Sequence, residues 1–187
     1  MTSVNVDQSV LQWMLDRRTP WLTDMFTVIT HSGGTVAVFV IAAAVTVALL
    51  SRRRTAEAVM VAGSMLSGWA AMSLLKHLFA RERPPLPDRL VDLDSYAFPS
   101  GHAMMTAILA GVLGAVVVRT VGPGILRIGL LVLLACYPLA VGISRVYLAA
   151  HWLTDVLAGW AFGVAWAALW IWAISRRSAR TTRTNSV

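Results

Sequence analysis

Five stretches of this chain are long and apolar enough to cross a lipid bilayer, and nothing else in the sequence restricts the fold as strongly. They occupy residues 34–50, 57–79, 101–118, 124–143 and 152–174. At a rise of 1.5 Å per residue, 17 to 23 residues cover about 26 to 35 Å, close to the thickness of the hydrocarbon core. Water is excluded there, so each stretch must satisfy its own backbone hydrogen bonds as a helix. Only 13% of the 187 residues are charged, against about 25% in a soluble domain. The sequence therefore predicts an all-α fold, a polytopic transmembrane helix bundle of five spans.

Residues 1–33 follow a different pattern. Asp16, Arg17, Arg18 and Asp24 interrupt an apolar background that includes Trp13, Trp21 and Phe26. Two amphipathic helices lying in the membrane interface and broken at Thr19-Pro20 fit this pattern, with a sixth span as the rival reading. The expected organisation is an N-terminal interfacial segment (1–33), a transmembrane domain (34–174) and a basic cytoplasmic tail (175–187). No internal repeat or second soluble domain is expected.

The net charge of +7 rests almost entirely on arginine, because Lys76 is the only lysine. A basic balance can signal nucleic-acid binding. Here Arg52, Arg53, Arg54, Arg119, Arg127, Arg176, Arg177, Arg180 and Arg183 flank apolar runs and fall on one side when five spans alternate. That is a membrane-topology pattern, so the partners expected are a bilayer and not a nucleic acid. By the positive-inside rule this side is cytoplasmic, and the loop 80–100 faces outward. Five spans place the N-terminus outside as well. Cys136 is the sole cysteine, which excludes an internal disulfide and a cysteine-based metal site.

Three polar groups stand at the outward ends of the spans. Lys76 precedes Arg83-Pro84; Pro99-Ser100-Gly101-His102 opens the third span; and Ser144-Arg145 leads to His151 and Asp155. Lys76, Arg83 and Arg145 supply three cations, two of them forked guanidinium groups suited to phosphate oxygens. Ser100 stands at an expected helix N-cap, and Gly101 permits close approach to the first free amides, an anion cradle. His151 and Asp155 are four residues apart, on one face of a helix beginning near Trp152. The carboxylate can orient one ring nitrogen and leave the other to attack phosphorus. His102, arriving from another helix, can protonate a leaving oxygen. A divalent ion among those cations would be repelled, and an oxygen-rich cage is missing, so neither metal nor cofactor is expected. Taken singly, each residue has a plainer explanation: cations that snorkel, a helix start, interfacial histidines.

Together the groups resemble the type 2 phosphatidic acid phosphatase family, whose pattern is Lys-x6-Arg-Pro, Pro-Ser-Gly-His and Ser-Arg-x5-His-x3-Asp. Every position of that pattern is matched at 76–84, 99–102 and 144–155. The resemblance implies a nucleophile at His151 that forms a phosphohistidine, Asp155 as its orienting partner and His102 as general acid. It also implies a phosphate-binding set of Lys76, Arg83, Ser100, Gly101 and Arg145, and a mechanism without metal.

The function expected is a membrane lipid phosphate phosphatase, with undecaprenyl diphosphate as the foremost substrate. Phosphatidylglycerol phosphate and phosphatidate are the alternatives. A lipid phosphotransferase using the same residues and a non-catalytic lipid-phosphate binder are the rival classes. A bacterial plasma membrane is the expected location, with the site on its outer face.

Overall fold

A computed structural model of the chain describes residues 5–91 and 93–184, with side chains as far as Arg177. Asp92, expected on the acidic loop face, lies outside the described residues, as do the side chains of Arg180 and Arg183. Among the described residues seven helices follow in order: α1 (Val6–Leu15), α2 (Pro20–Ser32), α3 (Thr35–Ser51), α4 (Thr55–Phe79), α5 (Gly101–Thr120), α6 (Ile125–Tyr147) and α7 (Leu153–Thr184). A short 3-10 turn, Leu86–Asp88, interrupts the long loop between α4 and α5. No strand occurs among the described residues.

Helices α4, α5, α6 and α7 are each long and apolar enough to cross a membrane. The fifth crossing differs from the sequence expectation. At 17 residues α3 is short, and it reaches spanning length only with α2, which it meets at a 47° bend. The bend falls at Gly33-Gly34, where a Cβ on Gly33 would lie 2.4 Å from Val141 Cγ1. A larger residue there would push the broken span off α6. Pro20 opens α2 at its first turn, where a missing N–H costs nothing. Helix α1, with 10 residues, covers about 15 Å and cannot form a sixth span. Its Asp7 contacts Arg81 and Thr154, so α1 sits at the same end of the bundle as the α4–α5 loop.

At the centre α5 packs against α3, α4, α6 and α7. Small residues make this possible. A Cβ on Gly159 would stand 2.7 Å from the carbonyl oxygen of Ser100, and one on Gly163 would stand 2.6 Å from that of Met104. The Gly159/Gly163 pair thus brings the backbones of α5 and α7 together within one chain, as small residues do wherever membrane helices cross closely. Met60, Met65, Met104, Ile108 and Leu109 fill the buried space between α4 and α5. Apolar side chains such as Val36, Leu74, Leu133 and Val164 cover the outer faces. With no charge to solvate, such faces suit lipid tails.

The arginine-rich ends converge opposite the α4–α5 loop. Arg54 binds Glu57 at 2.8 Å and donates to the carbonyl of Arg119, whose own guanidinium donates to Ser175 at 2.7 Å. These contacts tie the ends of α4, α5 and α7 together at one face.

Candidate active site

The chain turns sharply between α6 and α7. Ala149 takes a left-handed conformation (φ 52°), sparsely populated for a residue with a Cβ, and it is fully buried. The turn folds back so that the amides of Ala150 and His151 both donate to the carbonyl of Arg145. His151 therefore precedes α7 and is not part of it. Its pairing with Asp155 comes from this turn, not from a shared helix face. The Asp155 carboxylate reaches back to accept from the Trp152 amide at 2.9 Å, the acidic half of a capping box.

Six of the eight residues to which the sequence points line one cavity of about 670 Å³: Lys76, Arg83, Gly101, His102, Arg145 and His151. The other two stand behind its wall. Ser100 is fully buried at the N-cap of α5, and its amide donates to the Asp155 carbonyl at 2.9 Å. Its hydroxyl makes no capping bond and has no partner among the described residues. Asp155 is likewise buried, with its Oδ2 at 3.5 Å from Nδ1 of His151.

The three cations differ in how they are held. Lys76 donates to the carbonyl of Tyr96. Arg83 is gripped by the same loop and by the α6–α7 turn: Nε donates to Ser95 O at 2.6 Å and Nη2 to Ser95 Oγ and Tyr96 O, while Nη1 donates to Ala150 O of the turn at 2.6 Å. Its Nη1 also stands 3.2 Å from Nε2 of His151. Arg145 is 2% exposed, and its Nη1 donates to Thr30 at 2.7 Å, while Nε and Nη2 have no partner among the described residues. A buried donor without an acceptor costs about 1–3 kcal/mol, more when charged. An arginine in this condition, facing a cavity with other cations, is suited to an acceptor-rich anion.

Burial, followed by the cations Arg83, Arg145 and Lys76 and by His102, holds the His151 imidazole well below the usual histidine range. It is therefore neutral at physiological pH. With Arg83 donating toward Nε2, the ring proton belongs on Nδ1, facing Asp155. Arg83 is pushed down to about 10, by burial first and then by Arg89, while Asp155 pulls it back up. It remains a cation at neutral pH.

Several partners of the site carry no motif. Thr30 on α2 holds Arg145. Arg81 donates to Asp155 Oδ1 at 2.5 Å and to Asp7 Oδ2 at 2.7 Å. Burial alone would raise the Asp7 carboxyl, but hydrogen bonds from Thr154 and Arg81 outweigh it and hold the group below its usual value. In the sequence Arg81 is one of several loop charges, and Asp7 and Thr30 fall in a segment whose pattern speaks only of amphipathic helices. Their roles depend on contacts between residues 74 to 147 positions apart.

Among the described residues, no three His, Cys, Asp or Glu side chains converge as ligands for a metal ion. The ionisable groups at hand are the three cations, the imidazoles of His77, His102 and His151, Asp94 at the cavity wall, and behind it Asp155, already engaged by Arg81 and the Trp152 amide. That set favours binding of a phosphoryl group.

Known proteins resemble this chain over most of its length. The PAP2 superfamily profile matches residues 57–179. Phosphatidylglycerophosphatase B of Bacillus subtilis (strain 168) is 29% identical over 162 residues, 86% of this chain and 79% of the relative. The crystal structure of a transmembrane PAP2-type phosphatidylglycerolphosphate phosphatase from Bacillus subtilis superposes with a TM-score of 0.83 at 26% identity, covering 91% of this chain and 85% of that one. Aquifex aeolicus LpxE shares the fold, with a TM-score of 0.72 at 19% identity over 91% of this chain and 98% of its own. The chain belongs to the PAP2 superfamily and is a multi-pass membrane enzyme, a lipid phosphate phosphatase.

Proposed function

We propose that this enzyme hydrolyses its lipid phosphate through a phosphohistidine on His151, without a metal ion. The observation that carries the reading is the neutral, buried imidazole of His151 at a cavity wall shared with Lys76, Arg83, Arg145 and His102. The phosphoryl oxygens take the unpartnered Nε and Nη2 of Arg145, the Lys76 ammonium, and the first amides of α5 at Gly101 and His102, which Ser100 sets in place. Arg83 turns Nη1 from Nε2 of His151 to a phosphate oxygen, which frees the lone pair for attack.

The Nε2 lone pair forms a bond to phosphorus as the bond from phosphorus to the lipid oxygen breaks. His102 gives that oxygen its proton, so the lipid leaves as an alcohol or, from a diphosphate, as a monophosphate. Asp155 stabilises the positive charge on the phosphorylated imidazole. Water then attacks phosphorus as the bond from phosphorus to Nε2 breaks and returns its electron pair to His151, the water's proton passes to His102, and inorganic phosphate departs. The cations stabilise the charge on the transferring group throughout, the dominant factor in phosphoryl transfer.

For the lipid, we place a phosphatidylglycerol phosphate-type monoester first, because the Bacillus subtilis sequence and the Bacillus subtilis crystal structure that resemble most of this chain both carry the name of that activity. Undecaprenyl diphosphate, expected from the sequence, has no such support. The arginine-rich end supports an arrangement in which the site opens on the outer face of a bacterial plasma membrane. Phosphate release by purified protein from phosphatidylglycerol phosphate, phosphatidate and undecaprenyl diphosphate, with and without EDTA, tests the reading. Release undiminished by EDTA and fastest on phosphatidylglycerol phosphate is expected. Abolition by EDTA would overturn the metal-free mechanism, and a clear preference for undecaprenyl diphosphate would overturn the substrate order.

A further inference from the structure

The Asp155 carboxylate has three neighbours, and the one farthest from the phosphate cavity ties it to the N-terminal helix. Oδ2 accepts from the Trp152 amide at 2.9 Å and faces Nδ1 of His151, while Oδ1 accepts from Arg81 Nη1 at 2.5 Å. Both oxygens are therefore engaged, and the plane of the carboxylate is fixed. The same Nη1 donates to Thr154 Oγ1 at 2.7 Å, and Nη2 donates to Asp7 Oδ2, also at 2.7 Å. Asp7 closes the network: Oδ1 accepts from the Thr154 amide at 2.9 Å and Oδ2 from its hydroxyl at 2.6 Å.

This network is not a surface ion pair of the kind that contributes little. Asp7 and Asp155 keep 4% and 0% of their side-chain surface, and only Arg81 between them is partly exposed, at 32%. Helix α1 is held against the bundle by apolar contacts as well: Val10 and Met14 pack against Ala103, Val146 and Val156. The buried acid on α1 thus meets a guanidinium whose other arm ends on the carboxylate behind the nucleophile. Two acids sharing one guanidinium at such distances must be set together, because loss of the cation would leave both charges buried and uncompensated.

We infer that Arg81 and Asp7 are positioning residues for catalysis, coupling the seat of the N-terminal helix to the orientation of Asp155 and, through it, of His151. Neither touches the phosphate, so their effect falls on turnover and not on binding. Arg81 also neutralises Asp155 as seen from the imidazole. Around His151 the charged and titratable groups are Asp155, Arg83, Arg145, Lys76 and His102; around Asp155 they are Arg81, Asp7, His151, Arg83 and Lys76. Removing Arg81 alone takes away the one cation bonded to the carboxylate and leaves Arg83 and Lys76 as its remaining cations, so more of its negative charge is felt at Nδ1 and the imidazole becomes more basic.

The inference rests on His151 as the nucleophile, so the test includes His151→Ala. Release of phosphate from phosphatidate in detergent micelles is measured against pH for the wild type, Arg81→Gln, Arg81→Lys, Asp7→Asn and the Arg81→Gln/Asp7→Asn double variant. Thermal unfolding in the same detergent reports the folded fraction. Arg81→Gln should lose about tenfold or more in kcat, the scale of loss when a partner behind a reacting group is removed, with KM changed less than about twofold. The acid limb of its kcat/KM profile should move to higher pH; titration of the substrate is common to all variants and cancels. Arg81→Lys should recover part of kcat. Asp7→Asn should lose less than Arg81→Gln, and the double variant should lose no more than Arg81→Gln alone, since both act along one path. Wild-type kcat in folded Arg81→Gln would overturn the inference, as would a loss that merely follows the unfolded fraction with the acid limb unmoved. Should Arg81→Gln fail to fold, Asp7→Asn decides by the same criteria: lowered kcat at unchanged KM supports the coupling, and wild-type kcat overturns it. An active His151→Ala would instead remove the nucleophile on which the inference stands.

Discussion

His151 is nearly enclosed, and its neighbours at the cavity wall are cations. An imidazole so placed refuses a proton that the same residue would accept in water. The free histidine titrates near about 6.5, and in this site the value falls well below that. Because the proposed nucleophile is the neutral ring, protonation abolishes attack, and lowering the pKa moves that loss to more acidic solution. The acid limb of kcat/KM assigned to the enzyme should lie below pH ~6.5. A pH–rate profile with a substrate of known titration checks this, and a limb at or above that value would contradict it. At this scale the sequence is legible where chemistry imposes a short spacing. Lys76, Arg83, Gly101, His102, Arg145 and His151 are all marked by their order in the chain, and all line one cavity. Thr30, Arg81 and Asp7 are not, since a threonine holding a guanidinium 115 residues away leaves no periodic trace.

Helix α5 carries His102, α7 carries Asp155 just after His151, and the glycines of α7 determine how closely the two meet. The amide of Ser100 reaches the Asp155 carbonyl only because Gly159 lets the α5 backbone approach. A Cβ on Gly163 would press on the Met104 carbonyl at 2.6 Å, and backbone has no rotamer with which to yield. Gly163→Ala should therefore destabilise the protein by about 1–3 kcal/mol. It should lower kcat too, by shifting His102 relative to His151. A Cβ on Gly129 of α6 would meet nothing within 4 Å. Gly129→Ala should be neutral or stabilise by up to about 1 kcal/mol through helix propensity. Thermal unfolding of the two variants in one detergent checks the contrast, and equal melting temperatures would contradict it. The GxxxG spacing announces close packing, but the sequence cannot say which helix it meets. The bend between α2 and α3 is also hidden, because Gly33-Gly34 reads as a plain boundary until Val141 is seen against it.

Across the whole molecule, the bundle separates two ends. One carries the cavity, the α4–α5 loop and α1; the other gathers Arg54, Arg119 and the last turns of α7. Hydropathy makes the crossings legible because lipid permits so few backbone solutions. It does not reveal the 47° bend between α2 and α3. If the arginine end is cytoplasmic, a cysteine in place of exposed Leu86 should react with an impermeant thiol reagent in intact cells, while one in place of Arg52 should not. Cys136 is replaced first in both, being exposed itself. The reverse pattern would invert the topology.

In the proposed mechanism a protein imidazole, not water, is the first group to attack phosphorus. The stereochemical course at phosphorus tests it most directly, using a lipid phosphate made chiral with oxygen isotopes and an alcohol as the final acceptor. Two in-line displacements through His151 predict retention of configuration in the product. Inversion would mean a single direct displacement and would contradict the phosphohistidine route.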